Sequence, residues 1–406
     1  MKKHKNFSND NKALLSLLTY DGTSEIAQIP DVNWGSVIRS ARAHCVLLTA
    51  SKQIVERKNV IPHKNYAGFI YAMGKVLAAN DKVYVGQKEL LSVLSGKVKC
   101  LIIKGFSTAI YYDEPKTRTM GDIDVLVKKS DLENTEKLLE ENGYVRQKGD
   151  DIYDVLFQKD GLLVEVHFSV AGIPGGKYGE IIKAFMADIF ETAVNRECLG
   201  QRFLSPDDAH NAIIMLLHLQ HHFFYGSAGL KQIVDWSMFT AKTLNAPFWE
   251  EQVLPLIKST GLFVFTAALT KACGKYLKSP VPKWAEEYSE DGYEIIDSII
   301  KSGEVSLSGK NYKNADVLTD KGQNDEYRKR SRISLALSYI HRATILSFPI
   351  VKKVFILYPF MYCYKAVGCF FKAAFLKRKD FNEMNEFAKK NKKLQEKFRI
   401  FENNKW

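Results

Sequence analysis

A chain of 406 residues with 46% hydrophobic and 26% charged side chains is globular and long enough for two or three packed units, which excludes a disordered or fibrous chain. Its formal charge of +12 is uneven: residues 327–406 hold 19 Lys and Arg against 5 Asp and Glu, a net +14, so the remainder is net −2. Any partner attracted by basic charge is attracted to the tail rather than to the body.

Six scattered cysteines without a CxxC pair fit neither a disulfide framework nor a cysteine zinc site, and read as reduced, mostly buried thiols. The lysines at the N-terminus precede only a short, interrupted apolar stretch with no small-residue cleavage site, so a signal peptide is not expected and a cytoplasmic start is. In chain order, residues 1–95 read as an N-terminal helical segment, in which Trp34, Ile38, Ala41, Cys45 and Leu48 keep the three-and-four spacing of one apolar face.

At Lys99 the texture changes. KCLIIKG is a short apolar run closed by a glycine, FSTAIYYDE follows as a helix, and a basic loop leads to GDIDVLV, a second strand. Asp131 starts a helix that stops at Gly143, and IYDVLFQ and LLVEVHFSV read as two further strands. Strands and helices mix without a βαβ repeat, so the fold class is α+β: a small mixed β-sheet core over 96–200, flanked by N- and C-terminal helical segments. Residues 201–301 read as a helical segment packing on that core, with Ser205-Pro206-Asp207-Asp208 as N-cap, first-turn proline and dipole-facing acids. A polar linker over 302–328 and a basic, aromatic-rich helical tail over 329–406 complete the chain.

The chemistry concentrates at Gly121-Asp122-Ile123-Asp124. On a strand, residues two apart share a face, so both carboxylates project together and repel unless a cation lies between them. Magnesium, with manganese as the alternative, suits such oxygen donors and leaves room for water and substrate phosphates. Upstream, the strand ending at Lys104-Gly105 opens a helix whose amides and Ser107 hydroxyl can meet the phosphates of a nucleotide. Downstream, Glu165 in Val164-Glu165-Val166 offers a third metal-facing carboxylate.

Plainer readings stand beside these. The two aspartates fit a solvated strand-end turn, Glu165 a cross-strand pair with a lysine, and Lys104 and Arg118 ordinary surface charges. His210, His218, His221 and His222 invite a zinc site on one helix, but no carboxylate completes a zincin pattern, and histidines in a pocket wall or helix interface are commoner. Asp235 reads equally as a polar group holding a helical layer to the sheet and as a catalytic acid.

The order of these features resembles the polymerase-beta-like nucleotidyltransferase superfamily, and more closely a bacterial family of uncharacterised nucleotidyltransferases. The resemblance rests on Leu101-Ile102-Ile103-Lys104-Gly105, Arg118, Met120-Gly121-Asp122-Ile123-Asp124, Val164-Glu165-Val166-His167, the helix with His218 and His221, and Gly229-Leu230 leading to Asp235-Trp236. The chain departs from the superfamily in placing bulky Phe106 before Ser107.

The resemblance implies two-metal transfer of a nucleoside monophosphate from a nucleoside triphosphate, in which Asp122, Asp124 and Glu165 are the catalytic residues: Asp122 and Asp124 hold the metal, and Glu165 completes the metal site or orients the attacking hydroxyl. Lys104, Gly105, Ser107 and Arg118 would then bind the nucleotide, Arg118 by its bidentate fork. The acceptor stays open among a sugar, a small molecule, a protein side chain and an RNA end. The alternative is a non-catalytic scaffold that keeps the fold, binds nucleotide and works through its tail on a membrane or a partner. The tail, broken by Lys352, Lys353, Lys365 and Lys372, is unsuited to spanning. It can lie on an anionic membrane surface at the inner face, pack on the body, or bind nucleic acid.

Overall fold

The computed structural model describes residues 6–22, 28–56, 61–148, 153–225, 228–288, 291–307, 354–375 and 393–401, with positions 340, 341, 344, 348, 389 and 390. Four helices lead in: α1 (Asn9–Ser16), α2 (Trp34–Ala43), α3 (Leu47–Glu56) and α4 (His63–Leu94). The apolar stripe expected over 34–48 is split. Trp34, Val37 and Ala41 are buried on α2, but Cys45 adopts a left-handed φ of 54° and is exposed between α2 and α3. The five described cysteines are free, and only Cys198 and Cys273 are fully buried.

The core is a five-stranded sheet built from β1 (Cys100–Ile103), β2 (Ile123–Val127), β3 (Val145–Arg146), β4 (Asp154–Lys159) and β5 (Leu162–His167), in the order β1-β2-β5-β4-β3. Only the central β2–β5 pair is parallel, so the sheet is mixed, as its sequence texture predicts. Period-two alternation gives it two different faces. Ile123, Val125, Val164 and Val166 form one apolar face, with Val83, Leu90 and Leu94 of α4 in the same cluster. At Gly86 a Cβ would lie 2.1 Å from Leu162 Cδ2, so α4 approaches β5 closely there. Helix α5 (Gly105–Ala109) follows β1, and α6 (Leu132–Glu141) follows β2.

The opposite face carries the acids and looks toward the second helical body. After α7 (Gly176–Phe185), a hairpin of β6 (Val194–Cys198) and β7 (Gln201–Ser205) precedes α8 (Asp208–Tyr225) and α9 (Leu230–Lys242). The chain therefore does not turn helical directly after Gly200. Its turn residues Leu199 and Gly200 both have positive φ, 53° and 78°, as a two-residue hairpin demands. Nor does Ser205 cap the next helix: it ends β7, and Asp207 Oδ1 accepts from the His210 amide at 2.9 Å, which is the N-cap bond.

Helices α10 (Leu254–Ser259), α11 (Phe263–Leu277), α12 (Lys283–Glu286) and α13 (Tyr293–Leu307) complete this body. Helix α13 runs six residues into the segment expected as linker, whose remainder, 308–328, lies outside the described residues. Most of the 329–406 tail also lies outside them; its main described element is α14 (Tyr358–Phe375).

Candidate active site

A cleft of about 380 Å³ lies between the polar sheet face and helices α8 and α9. The register of β2 on β5 sets Asp124 beside Glu165, so carboxylates distant in sequence reach the same floor. Asp122, at the mouth of β2, lines the same cleft, as do Lys104, Gly105, Arg118, Asp154 and His167. Of the residues expected to form the site, only Ser107 is missing from its lining.

Ser107 is fully buried behind the cleft. Its hydroxyl lies 2.7 Å from that of Ser205 and accepts from Asn211 Nδ2 at 3.0 Å, which ties α5 to β7 and α8. Gly105 has φ +37° with open space where a Cβ would stand. Lys104 before it has φ 54° and ψ −142°, a conformation costly for a residue with a side chain and met where surrounding structure enforces it.

That conformation accompanies a lysine turned onto the acids. Lys104 Nζ donates to Asp124 Oδ1 at 2.5 Å and lies 3.8 Å from Glu165 Oε2. The ring of His167, two residues along β5 from Glu165, places Nε2 2.9 Å from Asp124 Oδ1 and 3.3 Å from Glu165 Oε2. Burial opposes ionisation of Asp124, but the Lys104 ammonium and the His167 hydrogen bond more than offset it and hold the carboxyl well below its usual range. Burial likewise disfavours the charged His167, and its bonds to Asp124 and Glu165 raise it above the ordinary imidazole value. Asp122 is the opposite case. Burial, and then repulsion from Asp124, push its carboxyl up.

Arg118 does not present a free fork to the cleft. Its Nε and Nη2 donate to the two oxygens of Asp235 at 2.8 and 2.9 Å, and Tyr112 donates to the same carboxylate at 2.7 Å. Asp235 thus binds α9 to the loop entering β2, which is the polar-tether reading of that residue. Lys231 and Gln232, at the start of α9, also line the cleft.

The four helix histidines divide. His210 turns away, onto Asp207 at 2.9 Å and Asp188 at 3.2 Å. His218, His221 and His222 form a cleft wall, with the rings of His218 and His222 4.2 Å apart. Burial drives all three imidazoles toward the neutral form, His221 to about 4 and His222 to about 3, and the nearby Lys104 charge adds to it.

The donors fit a divalent cation. Asp124, Glu165 and His167 each offer an atom, all within 4.8 Å of one another, and they are the group of this kind found among the described residues. Asp122 lies outside that trio. His167 was legible as a spacing signal, since an acid and a histidine two apart on a strand share a face; the closeness of its ring to Asp124 was not.

The family model described as uncharacterised nucleotidyltransferase matches residues 30–278. No curated protein and no solved structure matches. The matched span contains the whole sheet, the cleft and helices α8 and α9.

Proposed function

We propose, since this chain belongs to the uncharacterised nucleotidyltransferase family, that its cleft transfers a nucleoside monophosphate from a nucleoside triphosphate to a hydroxyl-type acceptor. The observation that supports this most is the convergence of Asp122, Asp124 and Glu165 on one cleft floor beside Lys104 and Gly105. In such a transfer the acceptor hydroxyl gives up its proton to solvent as its oxygen bonds to the α-phosphorus, the bond from that phosphorus to the bridging oxygen breaks, and pyrophosphate leaves with the electron pair.

Asp122, Asp124 and Glu165 would hold the divalent cation, which when bound neutralises triphosphate charge and polarises the α-phosphate. Asp122, whose carboxyl is pushed up by burial and by Asp124, gains most from a neighbouring cation. Lys104 already balances Asp124 and Glu165 and stands where it can pass its charge to an arriving phosphate. Arg118 acts through Asp235, by fixing the loop that carries Asp122.

Equilibrium binding of each labelled nucleoside triphosphate to the purified chain, with and without divalent cation, tests this reading. One triphosphate should bind in the presence of metal, and an Asp122→Asn/Asp124→Asn protein should lose it. Retention of metal-dependent binding by the folded double variant would instead favour a nucleotide-binding scaffold with no two-acid metal site.

We further propose that the tail rests on an anionic membrane surface. Among the described residues no helix is long and apolar enough to cross a membrane. On α14, however, Phe360, Tyr364 and Val367 are 71%, 69% and 54% exposed, a stripe at helical spacing in a segment flanked by Lys352, Lys353, Lys377, Arg378 and Lys379. Apolar insertion with basic flanks is the pattern of an interfacial helix. The chain should co-sediment with vesicles containing phosphatidylglycerol but not with pure phosphatidylcholine vesicles, and Phe360→Ser/Tyr364→Ser should release it. Equal indifference to both vesicle types would sink the idea.

A further inference from the structure

Lysine and arginine line the cleft at three positions, and two of these cations are already committed. Lys104 reaches Asp124, and the Arg118 fork holds Asp235. The third, Lys231, is half-buried on α9 and has no ion pair among the described residues. Its charge is nonetheless felt in the cleft. Burial and Asp124 push the Asp122 carboxyl up, and Lys231 is the strongest influence opposing them. Burial holds His218 and His222 neutral, and Lys231 adds to that effect. The ammonium therefore faces Asp122 and the imidazole wall without bonding to the acid.

The start of α9 is fixed in place by its own amides. Gly229 N donates to Gln232 Oε1 at 2.9 Å and Leu230 N to His44 Nδ1 at 3.4 Å. Lys231 N donates to the His44 carbonyl and Gln232 N to that of Gly229, both at 3.2 Å. A Cβ at Gly229 would stand 3.3 Å from the His44 carbonyl oxygen, so the helix docks closely there. With these four amides in use, the helix start has none left for an anion, and the Lys231 ammonium is the group on this wall that can take one. Ser107, expected from the sequence at the phosphates, is buried behind the cleft against Ser205 and Asn211.

We propose that Lys231 binds the β- and γ-phosphates of the nucleoside triphosphate from the α9 wall, opposite Asp122, and so makes the cleft prefer triphosphates to monophosphates. The identity of the ligand rests on the nucleotidyl-transfer reading; the anion site rests on the uncommitted ammonium. Lys104 would have to leave Asp124 to serve the same phosphates. A lysine is a point charge with three rotatable donors on a flexible stem, which suits phosphates that arrive as part of the substrate and depart as pyrophosphate. Negative charge grows on those two phosphates as their bond to the α-phosphorus breaks, and a cation already in place there stabilises it.

The test measures equilibrium binding, with divalent cation present, of the mono-, di- and triphosphate of the nucleoside the wild type prefers, and of inorganic tripolyphosphate. Lys231→Gln should weaken the triphosphate and tripolyphosphate at least about tenfold and leave the monophosphate unchanged, while Lys231→Arg should keep most of the preference. A variant that weakens all three nucleotides alike, or that binds triphosphate as tightly as the wild type, would overturn the proposal. Acetylation of wild-type lysines, read by mass spectrometry, decides the matter if the variant does not fold. Tripolyphosphate should protect Lys231 but not Lys183, which is exposed on α7, and a Lys231 that stays equally reactive would also overturn it.

The two readings fail separately. Metal-dependent triphosphate binding that ignores Lys231 removes this inference and keeps nucleotidyl transfer. A wild type that binds tripolyphosphate through Lys231 but no nucleoside triphosphate keeps the anion site and removes the nucleotidyl-transfer reading, and one that binds neither removes both.

Discussion

Asp122→Asn and Asp124→Asn should both reduce nucleotidyl transfer by at least about a hundredfold, yet only Asp124→Asn should destabilise the fold. Asp124 is 3% exposed and takes hydrogen bonds from both Lys104 and His167. Converting it to an amide leaves the part-buried Lys104 ammonium and the buried His167 ring short of their carboxylate partner, and breaking a buried pair from one side costs about 3 kcal/mol or more. Asp122 makes no hydrogen bond or ion pair among the described residues, and burial and Asp124 already oppose its charge. Neutralising it removes a repulsion, so that variant should be as stable as the wild type or more so.

The pH dependence carries the same signature. The depressed Asp124 contributes stability that is present above its unfolded value, about 4, and is lost as pH falls through the folded one. The raised His167 contributes stability that is complete below its unfolded value, about 6.5, and is lost as pH rises through the folded one. The gap between wild type and Asp124→Asn should therefore be widest between about pH 4 and about pH 6.5, and narrow above that. Urea unfolding of metal-free protein across this range reads it directly. Equal destabilisation by the two asparagines would show that the Lys104–Asp124–His167 cluster does not hold the floor together.

The second large effect lies at Arg118 and Asp235. Both are buried, at 4% and 6% exposure, and their two-bond fork joins the loop entering β2 to α9. The same loop is held from behind, where Asn80 donates to the Arg118 carbonyl and accepts from the Met120 amide, at 2.9 and 2.8 Å. Arg118→Met or Asp235→Leu alone strands one charge and should cost about 3–5 kcal/mol, whereas the double change should recover much of that loss.

Denaturant unfolding of the four proteins gives the coupling. Small and additive single effects would mean that the fork contributes little. Nucleotide affinity measured on the double variant then separates two roles for Arg118. A stable double variant that still binds triphosphate assigns Arg118 to positioning the loop, and one that has lost it restores the direct phosphate contact its sequence context suggests.

Much of the fold was legible in sequence because its signals are local. The apolar run ending at Gly105, the Asp-x-Asp on GDIDVLV, the acidic start of α6 and the alternation of β4 and β5 each depend on residues a few positions apart. The β6–β7 hairpin was not legible. Its strands are short and half polar, and its turn places Leu199 rather than Asn or Asp in the left-handed conformation, which removes the usual signal. The break at Cys45 escaped for the same reason: periodicity alone cannot distinguish one bent segment from two helices.

By itself the sequence determined which residues carry charge, which faces alternate, and that Asp122 and Asp124 emerge from one strand near a glycine-opened helix. Only the tertiary structure decided their company. The parallel pairing of β2 with β5 brought Glu165 and His167 to Asp124, and the packing of α9 engaged the Arg118 fork with Asp235 at the cleft wall. Packing likewise buried Ser107 and set three histidines of α8 along the cleft wall while turning His210 away. The physical reason is that a strand's pattern fixes which face a side chain takes but not which strand lies beside it. A buried charge, in turn, is satisfied by whichever partner long-range packing delivers.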